Sequence, residues 1–154
     1  MKSIPFFLNN ALGFNIDRVA KLFRQGLTHA LADFDLTPEQ WQVMAVLWDS
    51  DEALNQQEIT RLTLKDRHSI SRLIKRLEAK GWLIKSPDPQ DARAFLISAT
   101  PKARTEKEAV MTALYSHFER LDLGITEEEE LQLLNMLQTI RTRFGDDDVL
   151  EEKD

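Results

Sequence analysis

Basic and hydroxyl side chains recur between Arg67 and Arg76 at a spacing that places them on one face of a helix. At about 100° per residue, this polar face consists of His68, Ser71, Arg72 and Lys75, flanked by Arg67 and Arg76. The opposite face is apolar and consists of Ile70, Leu73, Ile74 and Leu77, at positions i, i+3, i+4 and i+7. Arginine and lysine donate to guanine O6 and N7, and serine bonds either a base or a phosphate. This composition is typical of a helix that buries one face and offers the other to nucleic acid.

The net charge of the 154-residue chain is −6, which by itself argues against binding to phosphates. The charge is unevenly distributed, however. Residues 61–85 contain eight basic and two acidic side chains, a net charge of +6, whereas residues 126–154 contain three basic and ten acidic ones, a net charge of −7. A local cluster of positive charge is expected of a nucleic-acid-binding segment, although a solvated surface helix has the same composition.

Composition excludes several classes of site. The chain has no cysteine, which excludes disulfides, thiolate metal sites, iron–sulfur clusters and thiol-based redox sensing. Its three histidines form no i, i+4 ligand pair, and the sequence has no glycine-rich phosphate loop. We therefore expect no enzymatic activity, no metal and no cofactor. No run approaches 18 apolar residues, so we also expect a cytoplasmic protein without a membrane segment.

Capping signals mark where the helices begin. Three segments have a Ser, Thr or Asn followed three residues later by Gln or Glu: Thr37 with Gln40, Asn55 with Glu58, and Thr126 with Glu129. They predict helices over about 38–49, 56–62 and 127–144. Asp66 as a cap and Gly81 as a terminating residue bound the helix with the basic face, and Thr100 followed by proline opens another helix to about Leu121.

The period of the apolar residues changes after Gly81. Segments 82–86 and 93–99 are rich in Trp, Leu, Ile and Phe and are separated by a polar loop, which predicts a two-stranded hairpin. The front of the chain, residues 8–34, predicts one long helix with an apolar stripe of Leu12, Ile16, Val19, Phe23, Leu27 and Leu31. The last helix carries a similar stripe of Leu131, Leu134, Leu137 and Ile140.

A short helix, a turn and a second helix with a basic face have the form of a helix-turn-helix, and a hairpin directly after it is a wing. In the wing we expect Asp91 to brace the loop and Arg93 to reach a narrow minor groove, with a local ion pair between them as the alternative. Arg76 and Lys80 are interpreted as phosphate contacts or ordinary surface charges. His68 is interpreted either as part of the polar face that contacts DNA or as a solvated histidine.

Five segments, in this order and spacing, resemble the MarR-type winged-helix transcription regulators from about Leu12 to Phe144. They are Leu36–Trp41, Asp66–Leu73, Leu77–Ile84, Asp88–Arg93 and Thr100–Lys102. The chain departs from that family at two positions. Gln90 stands where an arginine is common, which removes a contact expected to brace the wing, and Ala103 stands where glycine is common. The lack of cysteine separates the chain from the peroxide-sensing members.

The resemblance implies a mainly α-helical fold with a small β-hairpin wing. A winged helix-turn-helix over residues 37–100 would be combined with a helical dimerisation layer over 1–36 and 101–146 and with an acidic flexible tail over 147–154. It implies a homodimer that binds a pseudo-palindromic operator in double-stranded DNA, usually as a repressor, and that a small anionic or phenolic ligand releases.

The candidate DNA-contacting residues are Arg67, His68, Ser69, Ser71, Arg72, Lys75 and Arg76 in the recognition helix, with Asp91 and Arg93 in the wing. The alternative is a winged-helix interaction module whose basic face binds an acidic protein partner instead of specific DNA.

Overall fold

Helices account for most of the computed structural model, which describes residues 3–146. The predicted acidic tail over 147–154 therefore lies outside the described residues. The chain divides into two units, Met1–Phe118 and Glu119–Asp154. The helices are α1 (Phe6–Asn9), α2 (Leu12–Ala30), α3 (Pro38–Asp49), α4 (Gln56–Thr63), α5 (Arg67–Ala79), α6 (Pro101–Glu119) and α7 (Glu127–Arg143), and a 3₁₀ turn spans Ala32–Phe34. The strands are β1 (Leu54–Asn55), β2 (Leu83–Pro87) and β3 (Phe95–Ala99).

The prediction of one long N-terminal helix over 8–34 is wrong, because the helix is broken near each end. Ala11 has extended backbone angles. The amide of Asn10 donates to Phe6 O at 2.8 Å, and the amide of Asn15 donates to Asn9 O and Ala11 O, both at 2.9 Å. Asparagine side chains satisfy backbone groups in place of the helical ladder, and so they stabilise a break. At the other end, α2 ends at Ala30 and the 3₁₀ turn Ala32–Phe34 follows.

The three predicted capping boxes are confirmed, each with both of its reciprocal hydrogen bonds. In the first of them Gln40 N donates to Thr37 Oγ1 at 3.2 Å and Thr37 N donates to Gln40 Oε1 at 3.1 Å. α3 has the predicted bounds, and α4 and α5 lie within two residues of theirs. α6 ends at Glu119, two residues before the predicted Leu121. These starts were predictable because a cap uses only residues within one helical turn.

The predicted two-stranded hairpin is part of a three-stranded antiparallel sheet with the order β1, β3, β2. Leu83 pairs with Ala99 and Pro87 pairs with Phe95, so the strands begin and end within two residues of the predicted segments. The additional strand, β1, has only two residues and pairs through Leu54 with Ile97. Its pairing is long-range and too short to leave a period in the sequence, which explains why the sequence did not indicate it.

The hydrophobic core of the first unit is formed by the winged helix-turn-helix together with the end of α2 and one side of α6. Its fully buried side chains are Leu31, Val43, Met44, Ile59, Ile70, Leu77, Ala103 and Val110, each 0% exposed. Trp48 Nε1 donates to Ala103 O at 3.1 Å, which joins α3 to α6. The alanine that replaces the family's common glycine is thus a packed core residue.

The second unit contains α7. Four glutamates occupy its first turn and Arg141 and Arg143 its last, which is the arrangement that the helix dipole favours. None of its residues is buried, and the predicted stripe leaves Leu131 and Leu134 exposed.

Candidate nucleic-acid interface

The basic helix α5 is fixed in the fold by its apolar face. Ile70, Ile74 and Leu77 are buried in the core, and Leu73 packs against it at partial exposure. Burying three such side chains contributes on the order of 5–9 kcal/mol of hydrophobic stabilisation before entropic costs. Because the stripe occupies one side of the helix, the opposite side is directed to solvent.

All seven predicted recognition residues lie on α5. Six of them are exposed, namely Arg67, His68, Ser71, Arg72, Lys75 and Arg76, while Ser69 is half-buried. The turn that leads into α5 is tight, because Leu64 ends α4 with φ of 49° and Asp66 then caps α5. The structure thus brings one hydroxyl, one imidazole and four cations to a single helical face.

Ser69 takes part in the cap of α5. Its backbone N–H donates to Asp66 Oδ1 at 2.8 Å, and its hydroxyl donates to Asp66 Oδ2 at 2.5 Å. These hydrogen bonds from the Ser69 side chain and backbone lower the pKa of Asp66. Arg72 Nη2 reaches Ser69 Oγ at 3.5 Å. The Ser69 hydroxyl therefore donates its proton to Asp66 at the start of the helix, and its oxygen lies at the limit of hydrogen-bonding distance from Arg72.

The tip of the wing is held by two aspartates. Asp88 Oδ1 accepts from Gln90 N at 2.8 Å, and Asp91 Oδ1 accepts from Arg93 N at 2.9 Å. The predicted brace by Asp91 is thus present, as a hydrogen bond to the backbone of Arg93. The side chains of Asp91 and Arg93 are exposed. Without the common arginine at position 90, the loop is held by side-chain-to-backbone turns.

Lys80 has contacts that the sequence did not predict. Its ammonium donates to Asp35 O at 2.6 Å and to Gln40 Oε1 at 3.3 Å, and it lies 3.2 Å from Asp35 Oδ1. The lysine therefore joins the end of α5 to the start of α3. Gln40 was visible as a capping residue, but no local pattern connects positions 35, 40 and 80.

A second missed pair joins α2 to α3. Both Nε and Nη2 of Arg24 donate to Glu39 Oε1, the first at 2.8 Å. Burial alone would raise the pKa of Glu39, but the hydrogen bonds from Arg24 and its own backbone and the positive charges of Arg24 and Lys65 lower it overall.

An open cavity of about 530 Å³ lies between the start of α3 and the exposed side of α5. Its walls carry three cations, two carboxylates, two leucines and two hydroxyls, namely Lys65, Arg72, Arg76, Glu39, Asp66, Leu64, Leu73, Thr37 and Ser69. The cavity combines positive charge with apolar surface.

Within the described residues 3–146, no group of three or more His, Asp or Glu side chains is arranged to hold a metal ion. In the same part of the chain, no helix has the length and hydropathy needed to cross a membrane.

Comparison with known proteins decides the family. The sequence model of the MarR family matches residues 34–94, which include the helix-turn-helix and the wing loop. The HTH-type transcriptional regulator TtmR of Methylorubrum extorquens is 33% identical over 137 residues, which are 89% of this chain and 69% of TtmR. This chain belongs to the MarR family. It is a winged helix-turn-helix transcriptional regulator, as its relatives are.

Solved structures agree with the MarR fold described above. The transcriptional repressor CouR bound to a 23-mer DNA duplex is 26% identical, has a TM-score of 0.82, and is matched over 91% of this chain and 99% of CouR. CouR from Rhodococcus jostii RHA1 bound to p-coumaroyl-CoA is 26% identical, has a TM-score of 0.75, and is matched over 86% of this chain and 93% of that one.

Proposed function

We propose that this MarR-family chain acts as a homodimeric repressor that binds a pseudo-palindromic operator in double-stranded DNA. The observation that carries the proposal is the exposed basic face of α5 opposite an apolar stripe of which Ile70, Ile74 and Leu77 are buried. A face of this kind presents donors to a major groove without rearrangement of the fold. The similarity to CouR, whose structure contains a DNA duplex, supports the same conclusion.

The proposal assigns the recognition residues as follows. Arg67, Ser71, Arg72 and Lys75 read base edges, and Arg76 contacts phosphate. His68 is at the start of the same exposed face, and Ser69 acts through Arg72. Arg93 enters the minor groove at the tip of the wing, with Asp91 as its brace. No catalytic residue is assigned.

The dimer is proposed from the apolar side of α2. Leu12, Ile16 and Val19 are exposed along this helix at a regular helical spacing. Phe23 continues the stripe and stacks on Phe118, with 5.6 Å between ring centroids. An exposed stripe of this length is typical of an interface. We therefore assign residues 1–36 and 101–146 to dimerisation and residues 37–100 to DNA binding. In a two-fold dimer the recognition helices must lie about 34–36 Å apart to enter successive major grooves.

A small anionic effector is proposed for the cavity beside α5. Its volume of about 530 Å³ is in the range of small-molecule sites. The three cations of its walls outnumber the two carboxylates, Glu39 and Asp66, so the net charge favours an anionic group. Leu64 and Leu73 offer apolar contact. Because Arg72 and Arg76 are also proposed DNA contacts, a bound anion would compete with DNA for these two side chains.

Selection of bound sequences from a random DNA pool tests the main proposal. We expect a pseudo-palindrome whose half-sites are one helical turn apart. Affinity for it should fall with salt at a log–log slope of about −0.9 for each phosphate neutralised, and random duplex should bind more weakly by about 10³-fold or more. Recovery of no sequence motif, with tight binding to an acidic protein instead, would support the interaction-module alternative. As a regulator of genes, the protein would act in the cytoplasm.

A further inference from the structure

The ammonium group of Lys80 is engaged by acceptors within the protein. It donates hydrogen bonds to Asp35 O at 2.6 Å and to Gln40 Oε1 at 3.3 Å, and it forms an ion pair with Asp35 Oδ1 at 3.2 Å. All three acceptors belong to the segment 35–40, which connects the 3₁₀ turn after α2 to α3. The lysine side chain is only 29% exposed.

The segment that Lys80 contacts is held by hydrogen bonds of its own, from Asp35 N to Ala32 O and within the Thr37–Gln40 capping box. Asp35 adopts a left-handed conformation with φ of 53°, which turns its carbonyl out of the preceding 3₁₀ turn. Gln40 is 2% exposed, the one polar residue among the buried side chains of the described chain, and its Oε1 also accepts from Thr37 N. A charge-assisted hydrogen bond to such a fixed acceptor is stronger than one between neutral groups.

The other side of the same helix end is held by the start of α6. Lys102 Nζ donates to Lys80 O at 3.1 Å, and Thr100 Oγ1 donates to Gly81 O at 2.7 Å. Carbonyls at a helix end lack intrahelical partners, so these side chains satisfy them. The Lys80 node, defined as Lys80 and Gly81 with Asp35, Gln40, Thr100 and Lys102, therefore connects α5 to both segments that border the winged helix.

We propose that the Lys80 node fixes the orientation of the recognition helix relative to the dimerisation segments. It would thereby set the separation of the two recognition helices in the dimer. Lys80 is a positioning residue, because it acts through α5 and not by contact with DNA. This inference rests on the proposed function, in which two helices must match half-sites one turn apart.

Lys80→Met tests this proposal, because methionine keeps an unbranched apolar stem and removes the three donors. For each protein, affinity is measured for the selected operator and for operators with two base pairs added or removed between the half-sites. The ratio of these affinities is the spacing selectivity. We expect Lys80→Met to lower the spacing selectivity by about tenfold. This is the factor expected when a hydrogen bond to a charged group no longer favours one helix orientation over the others. An unchanged ratio in a folded variant would overturn the proposal.

Two alternative roles of Lys80 predict different results. If Lys80 contacted phosphate, the log–log salt slope would become shallower by about 0.9 and the spacing selectivity would stay the same. If Lys80 only stabilised the fold, the unfolding midpoint would fall without a change in selectivity. Lys80→Arg, which keeps a cationic donor, should restore most of the selectivity. Lys107→Met is the matched control, because Lys107 Nζ donates to Trp48 O at 3.3 Å, away from the recognition helix.

A measurement without DNA separates this inference from the proposed function. Because the chain has no cysteine, Ser71→Cys gives one spin label per recognition helix. In the free dimer we expect the label-to-label distance distribution to broaden in Lys80→Met. If the wild type binds no operator but this distribution broadens, the proposed function fails and the positioning role stands. If operator binding is intact and the distribution is unchanged, the positioning role fails.

If Lys80→Met does not fold, Asp35→Asn replaces it in both measurements. Asparagine tolerates the left-handed conformation and leaves the backbone carbonyl in place, but it removes the negative charge. We expect a smaller change in the same direction, and no change in either measurement would overturn the proposal.

Discussion

Helices α2 and α5 carry apolar side chains at the same helical spacing, but the stripe of α5 is mostly buried and that of α2 is mostly exposed. On α5, Ile70 and Leu77 are 0% exposed. On α2, Leu12 is 67% and Val19 49% exposed, and no residue within the helix is buried. Only the end of α2, near Leu27, packs against the core.

The two stripes show that helical periodicity predicts which face of a helix is apolar but not which surface covers that face. The stripe of α5 is covered by residues of its own winged helix, which leaves the basic side free for a ligand. The N-terminal part of the α2 stripe, at Leu12, Ile16 and Val19, is exposed in the first unit, which is why we propose that a second copy of the chain covers it. Matched substitutions in the buried stripe of α5 and in the exposed stripe of α2 test this comparison.

The largest effect is expected for Ile74→Ala on α5. Removing a buried isoleucine side chain should lower the free energy of unfolding by about 2–5 kcal/mol, at any protein concentration. The matched variant Ile16→Ala on α2 should cost less at low protein concentration, where the monomer dominates, because Ile16 is already partly exposed. Urea denaturation measures both. Equal losses in the two variants at low concentration would contradict the comparison.

The second-largest effect is expected for Val19→Glu, which should weaken the proposed dimer. A carboxylate within an apolar interface loses hydration without a partner, and we expect a loss of about 2 kcal/mol in association. Sedimentation velocity gives the fraction of the 17.8 kDa monomer. Gln25→Glu, which adds the same charge on the opposite side of α2, is the control. A wild type that sediments only as monomer would remove the dimer from the proposal.

Arg72→Ala changes the exposed side of α5 and leaves its buried stripe intact. We expect a loss of about 1–3 kcal/mol in operator binding and a relaxed base preference at one position in each half-site. Competition binding against operators substituted at single positions measures both. Arg104→Ala removes an exposed arginine that is not among the proposed DNA-contacting residues and should leave the base preference unchanged. A uniform loss over all sequences would make Arg72 a phosphate contact.

Two glycines of α2, Gly13 in its first turn and Gly26 near its other end, distinguish the exposed end of the helix from the packed end. A Cβ at Gly13 would meet no atom within 4 Å, so Gly13→Ala should stabilise the protein by up to about 0.5–1 kcal/mol. A Cβ at Gly26 would lie 2.7 Å from His117 Nε2, so Gly26→Ala should give no such gain unless the imidazole moves. Thermal unfolding of both variants provides the test. An equal gain at both positions would argue against close packing of His117 on α2.

The smallest effect concerns Glu39, which joins α2 to α3 through Arg24. Its pKa is lower in the folded protein than its ordinary value of 4.5, so it stabilises the fold above that value and the contribution is lost as the pH falls through the folded pKa. Glu39→Gln should therefore lower the melting temperature at neutral pH and have less effect in acid. Glu108→Gln, at an exposed position of α6, is the control. The same melting-temperature difference at every pH would contradict this account.

Features with local causes could be predicted from the sequence. The three capping boxes, the buried stripe of α5 and the basic face opposite it depend on residues within a few turns of one another, and the structure contains all of them. The break in the first helix was missed, because Asn10 and Asn15 act against a regular apolar stripe. β1 was missed because it exists only by pairing with Ile97, 43 positions after Leu54 along the chain.

Sequence patterns were sufficient to predict helices α3 to α7 and the hairpin in their order, the family, and the residues that α5 presents to solvent. They did so because capping, helical period and turn chemistry act over short distances along the chain. The tertiary structure alone decided that Lys80 contacts Asp35 and Gln40, that Glu39 pairs with Arg24, and that a cavity opens beside Arg72. These contacts join residues 15 or more positions apart, and only the packing of the helices brings such residues together.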